Sequence, residues 1–465
     1  MSFKPVSILL TAALVFLTVF STPVESRSTD IKIDINGKRI YPDSAPFIKD
    51  GRTLVPIRGV FEHLGASVSW DPSNYEVNVS YNGKNINMYI GNNKAYINGV
   101  PTYMDVAPLI YGDRTMIPLR FLAENAGMNV GWIDGARIAC ITDPSYLTAS
   151  NGKTILGFTA SDYKGDSLSY NSLVKYGDNI TSIAACLYRV DSDGDLVRAG
   201  ASQEDAVSYA NSKGIKPLLL VNNFLDDRFD KRLAHSVLSQ PSIRKRLVAN
   251  ILTEVGRQEY SGVNIDLEAV PPYDRDNYTS LVAEMKNAMS QCGFTTTVSL
   301  PAKTGTEPWY EAYDYEAIGK YADKILLMTY DEHYLGGDPG PVASIGWVKS
   351  VVEYASSVVT PDKLLLGVAA YGYDWSDSGN KALTINNINN ILASKNVNSV
   401  WDDSAMSPMF TYNEDGTQHS VWYENDTSLS YKLALADKNG LGGIGVWRLG
   451  FEDNSFWNTI KQNIK

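Results

Sequence analysis

The stretch SGVNIDLEAV, residues 261–270, alternates apolar and polar side chains as a β-strand does. Its polar members Asn264, Asp266 and Glu268 share one face, because successive side chains of a strand point to opposite faces. Neighbouring candidate strands read as almost wholly apolar, which is typical of parallel strands covered on both sides by helices. A polar face in such a strand therefore needs a special position in the fold.

Short apolar runs alternate with longer helix-like segments between residues 153 and 465. The eight runs are TILGFTA, ITSIAACLY, KPLLLVNNF, GVNIDLE, TTTVSLPA, KILLMTYDE, KLLLGVAAYGYDW and GGIGVWRLG. This alternation predicts parallel strands with helical crossovers, and eight units match an α/β fold of the (β/α)8 TIM-barrel type. A doubly wound open sheet is the competing fold, but no Gly-rich phosphate loop follows the first run. Residues 376–428 are interpreted as an α+β insertion between the seventh and eighth strands.

In a closed barrel, the polar face of residues 261–270 points inward. Burying an ionised carboxylate costs several kcal/mol unless partners compensate it. Barrel enzymes place their reacting groups at the C-terminal ends of the strands, where Glu268 lies. The alternative, the polar side of a solvent-exposed strand, fits poorly with the flanking helical segments. We therefore expect Glu268 and Asp266 to be catalytic.

The N-terminal part of the chain is duplicated. GRTLVPIRGVFEHLGASVSW at residues 51–70 returns as GDRTMIPLRFLAENAGMNVGW at residues 112–132, with matching residues 62 positions apart. Each copy predicts an Asn-Gly turn, a short strand, a helix of about two turns ended by Gly65 or Gly127, and further strands. We assign residues 27–146 to this small duplicated α+β domain and expect a polar linker at residues 142–153.

This duplicated unit resembles the copper amine oxidase N-terminal-like domain. Copper sites are built around imidazole or thiolate ligands, and residues 27–146 contain only His63 and Cys140 of these types. We expect no metal there and interpret the unit as a stalk or attachment domain. The repeated Arg58 and Arg120 fit either a structural bridge between turns or a binding surface.

The composition and the first residues bear on location and partners. The 465 residues carry a net charge of −11, which argues against nucleic acid as a partner. Lys4, an apolar run at residues 8–20 and the sequence STPVES predict a secretory signal peptide, residues 1–26. An uncleaved N-terminal anchor is the alternative, and no later segment is long and apolar enough to span a membrane.

The cysteines are few. Cys140, Cys186 and Cys292 are the only three, and they lie far apart in the sequence. We expect neither a disulfide framework nor a metal site from them. Cys186 lies in an apolar run and is interpreted as a buried thiol.

The barrel segment, about residues 153–465, resembles glycoside hydrolase family 18, and within it the spore-wall peptidoglycan glycosidases. GVNIDLE is similar to the family signature D-G-x-D-x-D-x-E, and LLMTYD at residues 326–331 and GGIGVW at residues 442–447 are similar to its sixth- and eighth-strand motifs. Two residues depart from the signature. Ser261 stands where the first acidic residue would be, and Asn264 replaces the middle Asp, so we expect Asn264 to hydrogen-bond Asp266 without ionising.

The resemblance implies roles for particular residues. Glu268 would be the proton donor, Asp266 would hydrogen-bond the acetamido N–H of the substrate, and Tyr330 would orient its carbonyl. Trp447 would form the floor beneath the bound sugar, although packing in the core is its alternative. The full set of expected substrate-binding residues is Asn264, Asp331, Trp447, Asn223, Tyr371 and Tyr373. No metal or other cofactor is needed for this chemistry, and His333 is interpreted as incidental.

The implied function is hydrolysis of β-1,4 bonds in N-acetylated amino-sugar polymers, either wall or spore-cortex peptidoglycan or chitin, by a substrate-assisted retaining mechanism. A lectin-like barrel without catalysis and a cell-surface adhesin are the alternatives. The expected partners are an N-acetylglucosamine-containing polysaccharide and, through the N-terminal domain, the bacterial cell wall. We expect a secreted monomer associated with the wall or the spore surface. The sequence leaves internal and terminal cleavage equally open.

Overall fold

The computed structural model describes residues 30–148, 152–161, 163, 165–199, 203–307 and 310–464. The expected signal peptide, residues 1–26, lies outside the described residues, as do residues 149–151 of the expected linker. Within the described part, no helix combines the length and the apolar character that a membrane span requires.

The N-terminal domain is built from short strands and three helices. Its strands are β1 (Lys32–Ile35), β2 (Lys38–Ile40), β3 (Phe47–Lys49), β4 (Arg52–Pro56), β5 (Ser67–Asp71), β6 (Glu76–Tyr81), β7 (Lys84–Tyr89), β8 (Lys94–Ile97), β9 (Val100–Tyr103), β10 (Leu109–Tyr111), β11 (Arg114–Pro118), β12 (Asn129–Ile133) and β13 (Ile138–Thr142). Its helices are α1 (Ile57–Phe61), α2 (Leu119–Ala126) and α3 (Pro144–Thr148), of which α3 lies in the expected linker.

The two copies of this domain exchange strands. The sheet orders are β12-β13-β1-β2, β10-β11-β4-β3 and β5-β6-β7-β8-β9, so each sheet contains strands of both copies. β4 pairs antiparallel with its own counterpart β11, with Val55 opposite Ile117. The predicted helix stops are confirmed, because Gly65 and Gly127 adopt φ values of +81° and +95°, which favour glycine at a helix C-terminus.

The barrel and its insertion follow. The strands are β14 (Thr154–Thr159), β15 (Ser182–Val190), β16 (Leu196–Arg198), β17 (Lys216–Asn222), β18 (Phe224–Leu225), β19 (Arg228–Phe229), β20 (Gly262–Asp266), β21 (Thr295–Pro301), β22 (Lys324–Met328), β23 (Leu364–Ala369), β24 (Tyr371–Ser376), β25 (Lys381–Thr384), β26 (Val400–Asp402), β27 (Ser407–Glu414), β28 (Thr417–Tyr423) and β29 (Gly443–Trp447). The helices are α4 (Leu168–Tyr176), α5 (Glu204–Lys213), α6 (Lys231–Leu238), α7 (Pro241–Arg257), α8 (Arg275–Ser290), α9 (Tyr315–Gly319), α10 (Ile345–Val358), α11 (Ile385–Lys395), α12 (Asp426–Lys438) and α13 (Asn454–Asn463).

The predicted (β/α)8 barrel is confirmed. The sheet order β14-β29-β23-β22-β21-β20-β17-β15 is closed by a parallel β14–β15 pairing, and β16 adds an antiparallel strand to β15. All eight apolar runs contain one barrel strand. One large apolar core fills the space between the strands and the helices, and a smaller one that includes Phe158, Leu220 and Leu326 fills the interior of the barrel.

The insertion is larger than a hairpin. It forms a five-stranded antiparallel sheet, β25-β24-β28-β27-β26, together with α11. The predicted seventh strand extends to Trp375, and this extent is wrong. The barrel strand β23 ends at Ala369, and β24 belongs to the inserted sheet. A continuous apolar run reveals buried strands but not which sheet each residue joins.

The N-terminal domain packs on the helical shell of the barrel. Ile133, Ile138 and Cys140 belong to the same apolar core as the barrel helices. Arg39 Nη2 donates to the carbonyl oxygen of Gly256 at 2.8 Å. This contact lies at the C-terminus of α7, a helix that leads into the N-terminal end of β20. The domain therefore sits near the end of the barrel opposite to the carboxyl ends of the strands.

Cys140 and Cys292 form a disulfide across this contact. The expectation that the cysteines are too far apart to pair is therefore wrong. The two residues are separated by 152 positions in the sequence, but docking of β13 against the end of α8 brings their Cα atoms to 4.9 Å. Cys186 remains outside the disulfide and is partly buried against the apolar interior of the barrel.

Candidate active site

The polar face of β20 points into the barrel. The apolar residues of this strand belong to the core between strands and helices, and they are Val263, Ile265 and Leu267. The alternate side chains therefore face inward. Asn264 is 0% exposed and Asp266 is 7% exposed, while Glu268 lies just beyond the strand and is half-buried.

Asn264 is bonded to the neighbouring strand β21. Its Nδ2 donates to Thr297 Oγ1 at 2.9 Å, and its Oδ1 accepts from Ser299 Oγ at 3.0 Å. The expected hydrogen bond from Asn264 to Asp266 is wrong, because the amide is oriented toward β21 and forms no bond to Asp266 in the described part of the chain. Oδ1 of Asp266 is buried and has no hydrogen-bond partner in the described part of the chain. A buried acceptor of this kind needs an explanation, and a bound donor would supply one.

Burial changes the protonation of both carboxyls. It raises the pKa of Asp266 to about 7. Burial also holds the pKa of Glu268 well above its usual range, and the charges of Asp266 and Asp331 raise it further. A carboxyl with a raised pKa keeps its proton to a higher pH than an ordinary carboxyl and can act as a general acid.

The backbone that carries Glu268 is fixed by Asn223, the residue after β17. Asn223 Nδ2 donates to the carbonyl oxygens of Glu268 at 2.8 Å and Asp230 at 3.0 Å, and its Oδ1 accepts from Glu268 N at 2.9 Å. The side chain is fully buried, and no amide hydrogen remains for a sugar. The structure thus shows that Asn223 positions the backbone of Glu268, and a direct contact of Asn223 with substrate stays a prediction.

Tyr313 fixes the same turn from the other side. Its hydroxyl donates to the carbonyl oxygen of Leu267 at 3.3 Å and accepts from Val270 N at 3.1 Å. Ala269 between them has φ +52°, a left-handed conformation that disfavours residues other than glycine. Tyr313 was missed in the sequence because it follows β21 in a segment without a recognisable motif.

Tyr371 and Tyr373 hold Asp331 in place. Their hydroxyls donate to Asp331 Oδ1 at 2.5 and 2.7 Å, and the two tyrosines are only 3% and 8% exposed. Removal of the carboxylate from water raises the pKa of Asp331, and the two phenol hydrogen bonds oppose that shift. The structure thus shows both hydroxyls bound to Asp331, and a direct contact of the two tyrosines with substrate stays a prediction.

Tyr330 and Trp447 complete the arrangement. Both are partly buried against the aromatic cluster that contains Tyr371 and Tyr373. Trp447, the last residue of β29, also packs against the barrel interior, with its ring 5.4 Å from that of Phe158. Burial raises the pKa of Tyr330, and the charges of Asp266, Asp331 and Glu268 act in the same direction. The site thus gathers an acid, an unsatisfied carboxylate, a phenol and an indole at one end of the barrel.

The N-terminal domain matches a known domain profile. The Copper amine oxidase N-terminal domain profile covers residues 34–141. Its residues do not fit a copper ion, because Cys140 is bound in the disulfide and His63 lies exposed on a short helical turn. Within the described residues, no group of three or more His, Cys, Asp or Glu side chains is arranged to hold a metal.

Known proteins resemble the barrel. A Bacillus subtilis (strain 168) protein named uncharacterized glycosylase YvbX is 34% identical over 318 residues, which cover 66% of this chain and 92% of the relative. The crystal structure of the Bacillus cereus spore cortex-lytic enzyme SleL aligns with TM-score 0.64 and 26% identity, covering 68% of this chain and 76% of that one. A chitinase from Chromobacterium violaceum aligns with TM-score 0.63 and 31% identity, covering 67% and 98%.

The profile of Glycosyl hydrolases family 18 matches residues 205–452, which include β20, β22 and β29 with the site residues at their carboxyl ends. The fold, the placement of the carboxyls and these matches agree. The chain belongs to glycosyl hydrolase family 18 and is a glycoside hydrolase.

Proposed function

We propose that the protein is an exported, retaining glycosidase that hydrolyses β-1,4 bonds next to an N-acetylated amino sugar. The observation that carries this proposal is the placement of Asp266 and Glu268 on the inward face of the chain at the end of β20, with Asp266 Oδ1 buried and without a hydrogen-bond partner among the described residues. A retaining enzyme of the usual type needs two carboxyls on either side of the bond, whereas family 18 uses the substrate's own acetamido group.

In the first step, Glu268 donates its proton to the glycosidic oxygen as the bond from this oxygen to the anomeric carbon breaks. The acetamido carbonyl oxygen attacks the same carbon and closes an oxazolinium ring. The nitrogen of this ring carries a positive charge, and Asp266 Oδ1 accepts its N–H. Electrostatic stabilisation of this kind acts most strongly where water is excluded.

In the second step, water attacks the anomeric carbon from the side that the leaving group vacated. The Glu268 carboxylate accepts a proton from this water, and the bond to the acetamido oxygen breaks. Two inversions at one carbon give net retention. Tyr330 would donate to the acetamido carbonyl, and Trp447 would form the apolar surface beneath the sugar ring.

The substrate class follows from the relatives. SleL is named a spore cortex-lytic enzyme and the Chromobacterium violaceum protein a chitinase. Both names refer to polymers that contain N-acetylglucosamine, so we propose wall or spore-cortex peptidoglycan or chitin as the substrate. The N-terminal domain would attach a monomeric enzyme to the wall. The presence of Glu268 favours catalysis over a lectin-like function.

Replacement of the acid tests the proposal. Glu268→Gln should lower turnover of a soluble N-acetylglucosamine oligomer at least about a hundredfold, the scale of a lost general acid, while substrate binding persists. Glu353→Gln is the matched control, because Glu353 lies exposed on α10, where it pairs with Lys349. Unchanged turnover in Glu268→Gln would refute the assignment.

The stereochemistry tests the mechanism separately. NMR should detect the β-anomer as the first product released from a β-linked substrate. An initial α-anomer, or efficient cleavage of an oligomer that lacks the N-acetyl groups, would refute substrate assistance.

A further inference from the structure

The duplicated N-terminal domain contains a cleft of about 540 Å³. Residues of both copies line it. Ile48 and Arg52 come from the first copy, and Tyr103, Arg120 and Trp132 come from the second. The cleft therefore exists only because the two copies exchange strands.

Solvent-exposed residues of this cleft are repeated in both copies. Tyr103 is 72% exposed, and Tyr41, which lies 62 positions earlier, is 82% exposed. The other repeated exposed pairs are Asp43 and Asp105, Ile48 and Ile110, Arg52 and Arg114, Arg58 and Arg120, and Glu62 and Glu124, whereas the repeated Trp70 and Trp132 are half-buried against the domain core. Substitutions on a surface usually change stability little, so folding alone does not require that these residues be kept.

The coordinates show the same symmetry. Arg52 of the first copy pairs with Asp105 of the second at 2.5 Å. Arg114 of the second copy pairs with Asp43 of the first at 2.6 Å. The duplication thus repeats a surface arrangement as well as a core.

Arg137 distinguishes this cleft from its counterpart. Its Nε is buried and has no hydrogen-bond partner in the described part of the chain. The residue 62 positions earlier is Tyr75, so only one of the two symmetric positions carries a guanidinium. Arg52 and Arg120 already have carboxylate partners, Asp105 and Glu124. Because Arg137 lines the cleft, its guanidinium can pair there with a carboxylate, which is the best partner of this group.

The remaining walls suit a sugar. Tyr103, Phe121 and Trp132 offer apolar ring faces. The ion pairs Arg52–Asp105 and Arg120–Glu124 offer both donors and acceptors for the hydroxyl groups of a sugar. We propose that this cleft binds a carboxylate-bearing sugar of the wall glycan, with Arg137 as the partner of the carboxylate and the aromatic residues against the ring. This inference deepens the attachment role proposed above for the domain and rests on it.

Calorimetric titration of the full-length Glu268→Gln chain tests the proposal without cleavage of the ligand. The probe is the disaccharide of N-acetylglucosamine and N-acetylmuramic acid with a free lactyl carboxylate. Its methyl ester and diacetylchitobiose are the probes without a carboxylate. A muropeptide tests whether carboxylates of a stem peptide serve equally, and binding of either acid supports the cleft.

We expect one binding phase that depends on the cleft. Arg137→Ala should weaken that phase at least about tenfold for the free acid and less than about twofold for the ester, since tenfold corresponds to one lost strong contact. Tyr103→Ala should weaken it for both. The matched control is Tyr111→Ala, because Tyr111 is an exposed tyrosine of the same domain that does not line the cleft and has Lys49 at its repeated position.

Equal affinity for acid and ester, or a titration that neither substitution changes, would overturn the proposal. Melting temperatures of the variants identify any that fail to fold, and Tyr103→Ala, at a highly exposed position, keeps the test valid if Arg137→Ala unfolds the domain. In the chain with Glu268 intact, Arg137→Ala should leave turnover of a soluble oligomer unchanged. If the protein cleaves the oligomer but shows no binding phase of this kind, the proposal for the cleft is refuted and the proposed function is not. If it shows the binding phase but no turnover, the proposed function is refuted and the proposal for the cleft is not.

Discussion

Asp266 is unfavourable for the stability of the free protein but useful for the proposed reaction. Its burial disfavours the charged form, and its Oδ1 has no partner among the described residues. In the proposed mechanism the same oxygen would accept the acetamido N–H of the substrate. A carboxyl that is unfavourable in the free protein and satisfied by the substrate is a common arrangement at enzyme sites.

The stability of an Asp266→Asn variant should therefore depend on pH in a defined way. Because the folded-state pKa of about 7 lies above the ordinary 3.8, Asp266 destabilises the fold increasingly as the pH rises through this interval. We expect Asp266→Asn to match the wild type below pH about 4 and to exceed it at pH about 8, by at most about 4 kcal/mol. Urea denaturation at both pH values measures the difference.

Asp402→Asn is the control of opposite sign. Hydrogen bonds from the backbone of Ala405 and the hydroxyl of Ser404 lower the pKa of Asp402, so its carboxylate contributes stability that is present at neutral pH and lost in acid. This variant should be less stable than the wild type at pH about 8. A less stable Asp266→Asn at that pH would contradict the assignment of a buried, unfavourable charge.

The pH dependence of kcat/KM should change in the same variant. The alkaline limb of the wild type should follow loss of the Glu268 proton, and the acid limb should follow protonation of Asp266, although both limbs report the interacting pair. The charge of Asp266 raises the pKa of Glu268, so Asp266→Asn should move the alkaline limb to lower pH and remove the acid limb. Initial rates on a soluble oligomer between pH 4 and 9 measure both, and an alkaline limb at higher pH would contradict the coupling.

The hydroxyl of Tyr313 should affect turnover through the position of Glu268. Tyr313→Phe removes the bonds to Leu267 O and Val270 N, and we expect kcat to fall about tenfold, corresponding to about 1.4 kcal/mol, with KM nearly unchanged. Tyr278→Phe is a close control, because this buried neighbour packs against Tyr313 and its hydroxyl has no hydrogen-bond partner among the residues that the structure describes. Equal losses in both variants would mean that packing, not the hydroxyl, is responsible.

At the scale of elements, the site depends on how strand ends meet. The alternation in β20 and the eight apolar runs predict the barrel because both are local patterns of a strand. The same patterns correctly bring Glu268, Tyr330 and Trp447 to one end of the barrel. They do not identify hydrogen-bond partners, so the bonds of Asn223 to Glu268 and of Tyr371 and Tyr373 to Asp331 were not predicted.

The inserted sheet supports the active-site loop after β22. Tyr371→Phe with Tyr373→Phe removes two hydrogen bonds to Asp331, and we expect a loss of about 1–3 kcal/mol in the free energy of unfolding together with a severalfold lower kcat. Tyr334→Phe, at an exposed position of the same loop, should change neither quantity. Thermal denaturation and initial rates measure the two effects. A double variant as stable and as active as the wild type would contradict the idea that β24 supports the site.

At the scale of the whole molecule, the two domains form one assembly. The duplication is readable from residues 62 positions apart, but strand exchange between the copies is not, because sequence similarity does not specify which copy supplies each neighbour in a sheet. The docking of β12 and β13 on the barrel helices depends on tertiary contacts between distant residues. The pairing of Cys140 with Cys292 could not be predicted for the same reason.

The disulfide should stabilise the assembly. A bridge between residues 152 positions apart restricts the unfolded chain strongly, and chain-entropy arguments give up to about 5 kcal/mol for such a loop. Alkylation of the denatured, unreduced protein should block only Cys186, and mass spectrometry counts the blocked thiols. Cys140→Ser with Cys292→Ser should lower the melting temperature by several degrees and make it insensitive to a reductant.

Cys186→Ser is the control for the reductant, because this cysteine lies outside the disulfide. Its melting temperature should still fall on reduction, as that of the wild type does. Turnover of a soluble oligomer should persist in the chain without the disulfide, since the bridge lies near the opposite end of the barrel from Glu268. Three alkylated cysteines in the unreduced protein, or a melting temperature unaffected by loss of both residues, would contradict a covalent link between the domains.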